Sequence, residues 1–343
     1  MIQRILSVFE PFVLSLLGTV LLATLLPARG GFAVFAGYLA DAGIVLLFFL
    51  HGAKLSRDAI WQGLRNWPLH LAVLASTFLL FPALGMGMAH LPGLDPAWAN
   101  GILFLTLLPS TVQSSIAFTA IARGNVAAAI CSASFSNLIG IILTPALVAL
   151  LMHVQGGAGV SLSSIEGILL QLLAPFVAGH LLRPWIGAFV ERRKSLLTFV
   201  DRGSILLVVY TAFGAAVVEG LWTRVSPSDL GQLVLLCLLL LGVVLVATFL
   251  IAKAMRLSPK DAIVLQFCGS KKSLASGVPM AGVLFPAAQV GVILLPIMIF
   301  HQVQLIACAM LARHYGEQGP KQRAGDARPD RHSGFPNELK TDS

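Results

Sequence analysis

The chain has 343 residues, 57% of them hydrophobic and only 11% Asp, Glu, Lys or Arg, where a soluble domain carries roughly 25% charged residues. That composition excludes a water-soluble enzyme, a disordered regulator and a secreted disulfide module. The net charge of +8 comes from basic residues scattered between apolar stretches. No basic stripe interleaved with aromatics could follow a phosphate backbone, so nucleic acid is not an expected partner. The lipid bilayer is.

Runs of about 20 mostly apolar residues, enough to cross the hydrocarbon core, lie at 9–27, 34–53, 68–91, 97–122, 126–152, 165–187, 203–222, 231–252, 260–285 and 288–312. They predict an all-α membrane protein with ten transmembrane helices. The first run follows Arg4 without a small-residue cleavage site and reads as a retained helix. From residue 316 the chain turns polar and rich in Gly and Pro, and 316–343 is expected to be a disordered cytoplasmic tail. When the loops are numbered alternately, 19 of the 23 Lys and Arg fall on one face and only Arg29 and Arg224 on the other. Lys271 and Lys272 lie within the ninth segment. By the positive-inside rule both termini face the cytoplasm, in a plasma membrane such as a bacterial inner membrane. Cys131, Cys237, Cys268 and Cys308 sit in apolar segments with no C-x-x-C pair, as small packing residues rather than a disulfide or zinc framework.

A shift of about 160–165 residues brings like segments together. Pro11-Phe12-Val13 meets Pro175-Phe176-Val177, Phe135-Ser136-Asn137 meets Phe300-His301-Gln302, and the run 109–115 meets 268–273. A five-helix unit is odd-numbered, so its second copy enters the membrane from the opposite side. The expectation is an inverted repeat, 1–160 and 161–315, as in many secondary transporters.

The fourth and ninth segments are apolar at their ends and polar in the middle. Pro109, Ser110, Thr111, Gln113, Ser114 and Ser115 interrupt one, and Gly269, Ser270, Lys271, Lys272 and Ser273 interrupt the other. Interrupted helices at matching positions point to a transporter's binding site, where freed backbone groups line a cavity. The bland alternative is a proline kink with serines bonded back to their own helix. Lys271 and Lys272 lie roughly 17 Å along a helix from Lys260, beyond the reach of snorkelling. An intramembrane cation marks a functional site by default. Its counter-charge is either a membrane acid, Asp41 or Glu219, or an anionic substrate in a wet cavity; a lysine bonded to carbonyls at the break is the structural alternative. Ser132, Ser134, Ser136 and Asn137 on the fifth helix, with His301 and Gln302 on the tenth, either line that cavity or join helices by hydrogen bonds. His70, His90 and His153 read as interfacial.

These residues resemble a known family. The stretch 108–151, the run FCGSKKSLASGVPMAGVLFP at 267–286, the following LPIMIFHQVQLIACAMLARHY and FFLHGAKLS at 48–56 are similar to the bile acid:sodium symporter family. The likeness is to its divergent branch, shared by bacterial proteins and a vertebrate homologue, and covers about residues 5–315. It implies a panel of helices 1, 2, 6 and 7 and a core of 3–5 and 8–10, with the broken fourth and ninth helices crossing in the core. Substrate binds between core and panel, and transport is sodium-coupled uptake of organic anions. Carried over by motif, Ser114, Ser115, Ser132 and Ser136 are the sodium-site positions and Ser273 belongs to the ninth-helix break. The chain departs from the pattern where the family's better-studied branch has an acidic residue and Gln or Asn as sodium ligands: here stand Phe267 and then Gly269-Ser270-Lys271-Lys272-Ser273. An ammonium there repels Na⁺, so a lysine is expected to take the ion's electrostatic role, leaving transport uncoupled or coupled to H⁺.

The reading is a secondary carrier of a small organic anion, working by alternating access, with no cofactor beyond a coupling Na⁺ or H⁺. The expected site is Pro109, Thr111, Gln113, Ser114, Ser115, Ser132, Ser136, Asn137, Ser270, Lys271, Lys272, Ser273, His301 and Gln302. A non-transporting regulator or receptor on the same fold is the alternative. Membrane enzymes that hold Mg²⁺ need clustered acids, and no segment has a D-x-x-D. Neither the anion nor the oligomeric state is legible.

Overall fold

The computed structural model describes residues 11–54, 66–152 and 162–318, and every regular element among them is a helix. In chain order the helices are α1 (Pro11–Leu25), α2 (Gly30–Lys54), α3 (Trp67–Ala89), α4 (Pro96–Leu107), α5 (Gln113–Ile121), α6 (Val126–Leu151) and α7 (Leu162–Arg192). They continue as α8 (Lys194–Val218), the single turn α9 (Leu221–Arg224), α10 (Pro227–Ala254), α11 (Pro259–Gly269), α12 (Leu274–Leu284) and α13 (Ala287–Gln318). Seven are long and apolar enough to cross a membrane, and α1 and α4 contain shorter apolar helices. α13 runs on to Gln318, so the first three residues of the expected tail are helical; the rest of it, like His153 and residues 1–10, lies outside the described residues.

Several helix starts are written locally. Asp95, Ser226 and Ser258 each cap a helix by accepting a backbone N–H two or three residues on, and each precedes a proline at the first helical position. There the missing N–H costs nothing and the fixed φ already suits a helix. Ser226 and Asp229 complete a reciprocal capping box on α10.

The fourth and ninth apolar segments are each two short helices. α4 stops at Leu108, whose ψ of 155° is extended, as expected for a residue preceding a proline, here Pro109. The chain resumes as α5 at Gln113. No proline explains the second break, between α11 and α12. Ser270 and Ser273 leave the helical region there, and the groups that hold them open come from elsewhere in the fold.

α1, α2, α7 and α8 pack on one another, and the remaining long helices gather around the two breaks; α8 against α13 is the broad contact between the groups. α2 and α7 touch through their backbones. A Cβ on Gly52 would lie 1.9 Å from the Phe176 carbonyl oxygen, and one on Gly179 would lie 1.9 Å from that of Phe49. The outer surface is apolar, with Leu21, Leu25, Phe35, Leu235, Leu239 and Phe249 all exposed, whereas Lys271, Lys272, Ser115, Ser136 and Gln304 are fully or almost fully buried. That inversion suits a hydrocarbon solvent, in which polar groups must find partners inside the protein.

Candidate functional site

Two breaks in helices free backbone groups, and many of these find partners on the other break or on α6. Of the carbonyls released between α4 and α5, Thr106 and Leu108 accept from the Lys272 ammonium at 2.8 and 2.6 Å, and Leu107 accepts from Thr144 Oγ1 at 2.8 Å. The Pro109 carbonyl accepts from the Ser273 N–H at 2.8 Å and that of Ser110 from Asn137 Nδ2 at 2.7 Å. In return, Ser110 Oγ donates to the Cys268 carbonyl at 2.6 Å and Ser115 Oγ to that of Phe267 at 3.0 Å. The Ser110 N–H goes to Ser136 Oγ at 2.9 Å. Ser270 Oγ folds back onto the Gln266 carbonyl, and Ser273 caps α12. Buried carbonyls without donors cost free energy, and these contacts meet that requirement.

Lys272 takes its third acceptor from α3, and the sequence there explains why one is free. A π-helical turn at Ser76–Leu80 shifts the Phe81 N–H onto the Ser76 carbonyl, five residues back. The next donor in that register belongs to Pro82, which has none. The Thr77 carbonyl is thereby left open and accepts from Lys272 Nζ at 2.8 Å. All three ammonium donors are used, and the Phe81 ring centroid lies 4.2 Å away. Lys271 is the opposite case. Fully buried, its ammonium has no hydrogen-bond partner among the described residues. It lies 4.1 and 5.5 Å from the ring centroids of Phe118 and Phe267, a cation–π contact. Neither proposed counter-ion reaches the pair, because Asp41 and Glu219 are exposed.

A cavity of about 320 Å³ lies against the breaks. One wall is α1, α2, α7 and α8, contributing Phe12, Phe48, His51, Lys54, Phe176, Asp201 and Arg202. The other is the first turns of α5 and α12, with Thr111 to Ser114 and Ser273 to Ser276, together with Ser134, Asn137 and His301. Lys54 is ion-paired with Asp201, the one acid lining the cavity among the described residues. Arg202 lies over the Phe12 ring at 5.3 Å.

The expected site residues therefore separate. Thr111, Gln113, Ser114, Asn137, Ser273 and His301 line the cavity; Pro109, Ser115, Ser136, Ser270 and Lys272 are buried where the breaks meet. The hydroxyls expected at a sodium site bond to different partners. Ser114 and Ser115 both bond Thr111 Oγ1, Ser136 accepts from Ser110, and Ser132 bonds His70 Nδ1 at 2.7 Å. His70, expected at the interface, turns inward and is buried between α3 and α6. Of the serines on α6, Ser134 rather than Ser132 faces the cavity.

Gln302 is half-buried and outside the cavity lining; the glutamine that matters to the break is Gln304. Its Oε1 accepts from the Lys272 N–H and its Nε2 donates to the Lys272 carbonyl, both at 2.9 Å, while Nε2 also meets His301 Nδ1 at 3.0 Å. Helical spacing could have found it: three residues after His301 shares a face, whereas one residue after does not.

Paired interrupted helices beside a cavity define a polytopic membrane protein of transporter type. The chain belongs to the SBF-like CPA transporter family, which it matches over residues 10–317. This is a family of transporters and not of enzymes. The chain is 55% identical to PA2026 of Pseudomonas aeruginosa, covering 90% of this chain and 93% of that protein. It is 51% identical to YfeH of Escherichia coli strain K12, over 94% and 97%. Sodium/bile acid cotransporter 7 of Rattus norvegicus is 26% identical over 78% of this chain and 80% of its own.

Proposed function

We propose that the chain is a secondary carrier of a small organic anion. The observation that carries this reading is the convergence of two helix N-termini on one cavity. The first turns of α5 and α12 both line it, across from Lys54, Arg202 and His51. Unpaired N–H groups and the helix dipole favour negative charge at such ends, and one acid, already paired with Lys54, opposes them. About 320 Å³ is near the lower end for ligand pockets, roughly 300–1,000 Å³, which suits a small cargo.

In this reading the ten apolar segments are ten crossings in two inverted halves, 1–160 and 161–315, with both termini cytoplasmic. The group of α1, α2, α7 and α8 is the panel against which the remainder moves in alternating access. The three-carbonyl cage of Lys272 supports a tethered ammonium in place of a coupling sodium ion. Flux of radiolabelled small carboxylates into proteoliposomes tests the carrier reading. Saturable uptake supports it; its absence across mono-, di- and hydroxycarboxylates, in Na⁺ and proton gradients alike, favours a non-transporting regulator on the same fold.

A further inference from the structure

The Gln304 amide has only one orientation that fits its surroundings. With Oε1 toward the Lys272 N–H and Nε2 toward the Lys272 carbonyl, both contacts at 2.9 Å are hydrogen bonds. Reversed, each would set like against like. The amide nitrogen has a second N–H, and it faces His301 Nδ1 at 3.0 Å. Two donors there would repel, and the Lys272 carbonyl, the other acceptor near the ring, is already taken by Gln304 Nε2, which points to Nδ1 presenting its lone pair. In a neutral imidazole the proton must then sit on Nε2. His301 is 8% exposed and lines the cavity.

We propose that Gln304 is a positioning residue: by clamping the Lys272 peptide it fixes His301 as the Nε2–H tautomer, a hydrogen-bond donor held ready for an acceptor oxygen of the cargo. The last step rests on the carrier reading; the tautomer does not. One amide thereby joins the α11–α12 break to the cavity wall. Whatever shifts the Lys272 peptide shifts the donor at His301, and a cargo group that presents a donor at that point is turned away.

The test is the ring ¹⁵N spectrum of the purified wild-type protein labelled with ¹⁵N-histidine, in lipid nanodiscs. The signal of His301 is the one lost in His301→Gln. The expected wild-type result is a proton on Nε2. In Gln304→Glu the carboxylate has no proton to donate to Nδ1, and the proton is expected to move to Nδ1. A wild-type ring already protonated on Nδ1, donating to the Lys272 carbonyl instead, overturns the proposal, as does the same tautomer in wild type and Gln304→Glu. Should that variant fail to fold, Gln304→Met, which neither donates nor accepts, is expected to show both tautomers; an unchanged single tautomer overturns the proposal there too. No cargo is needed, so failed transport and a failed tautomer assignment are separate results.

Discussion

Neighbouring lysines at the second break bear opposite burdens. Lys272 is bound by three carbonyls from α3 and the α4–α5 break, whereas Lys271 has two aromatic faces and no acceptor among the described residues. A buried acceptor left without a donor costs ~1–3 kcal/mol, so Lys272→Met, which strands three, is expected to cost on the order of 3 kcal/mol or more. Lys271→Met gives up a cation–π contact worth ~0.5–2 kcal/mol but removes a buried ammonium without a hydrogen-bond partner among the described residues. Its net effect is expected to be neutral or stabilising. Thermal unfolding in detergent decides the order, and equal losses in the two variants would contradict it. That lysines sit mid-membrane is legible from sequence; which of them is caged is not, because the Thr77 carbonyl is supplied from 195 positions away.

At the scale of elements, prolines and glycines do most of the local work. Pro109 ends α4, and Pro82 with the π turn frees the Thr77 carbonyl. Gly52 and Gly179 let α2 and α7 meet backbone to backbone. A methyl group at either position has nowhere to go, and overpacking of this kind costs typically ~1–3 kcal/mol. Gly52→Ala and Gly179→Ala are therefore expected to lower the unfolding temperature clearly. Gly18→Ala in α1, with nothing within 4 Å of the new atom, is expected to leave it unchanged or raise it slightly through better helix propensity. Both broken helices could be read from polar runs inside apolar segments. The α11–α12 break is less explicit, since no proline marks it and Gln304, Pro109 and Ser110 hold it open.

Across the whole molecule, polar groups form a bonded interior seam and a cavity, and the two differ in access. All four cysteines are buried, so the native background for thiol labelling is low. Ser134→Cys, on the cavity wall, is expected to react with a water-soluble methanethiosulfonate, and Ser132→Cys, packed on His70, is not. Equal labelling of the two would contradict the assignment of faces on α6. The caged Lys272 bears on coupling as well. Melting temperatures in NaCl and in choline chloride at equal ionic strength are expected to coincide. A ligand at 100 times its dissociation constant stabilises by about 2.7 kcal/mol, so a sodium-specific rise would show and would restore an ion site despite the lysines.

The sequence by itself determined what depends on local composition and spacing. A low charge content and long apolar runs demand a bilayer, and two polar interruptions demand partners. Asp95, Ser226 and Ser258 before prolines mark helix starts. Tertiary structure alone decided which partners meet. Ser132 and Ser136 look equivalent at i and i+4, yet one bonds His70 and the other the Ser110 N–H. Lys54 and Arg202, which count only toward the Lys- and Arg-rich face in the sequence, join Asp201 in the polar wall of the cavity. The reason is physical: a chain codes the need of each buried donor and acceptor locally, but in a medium without water that need can be met only by whichever group the fold brings within about 3 Å.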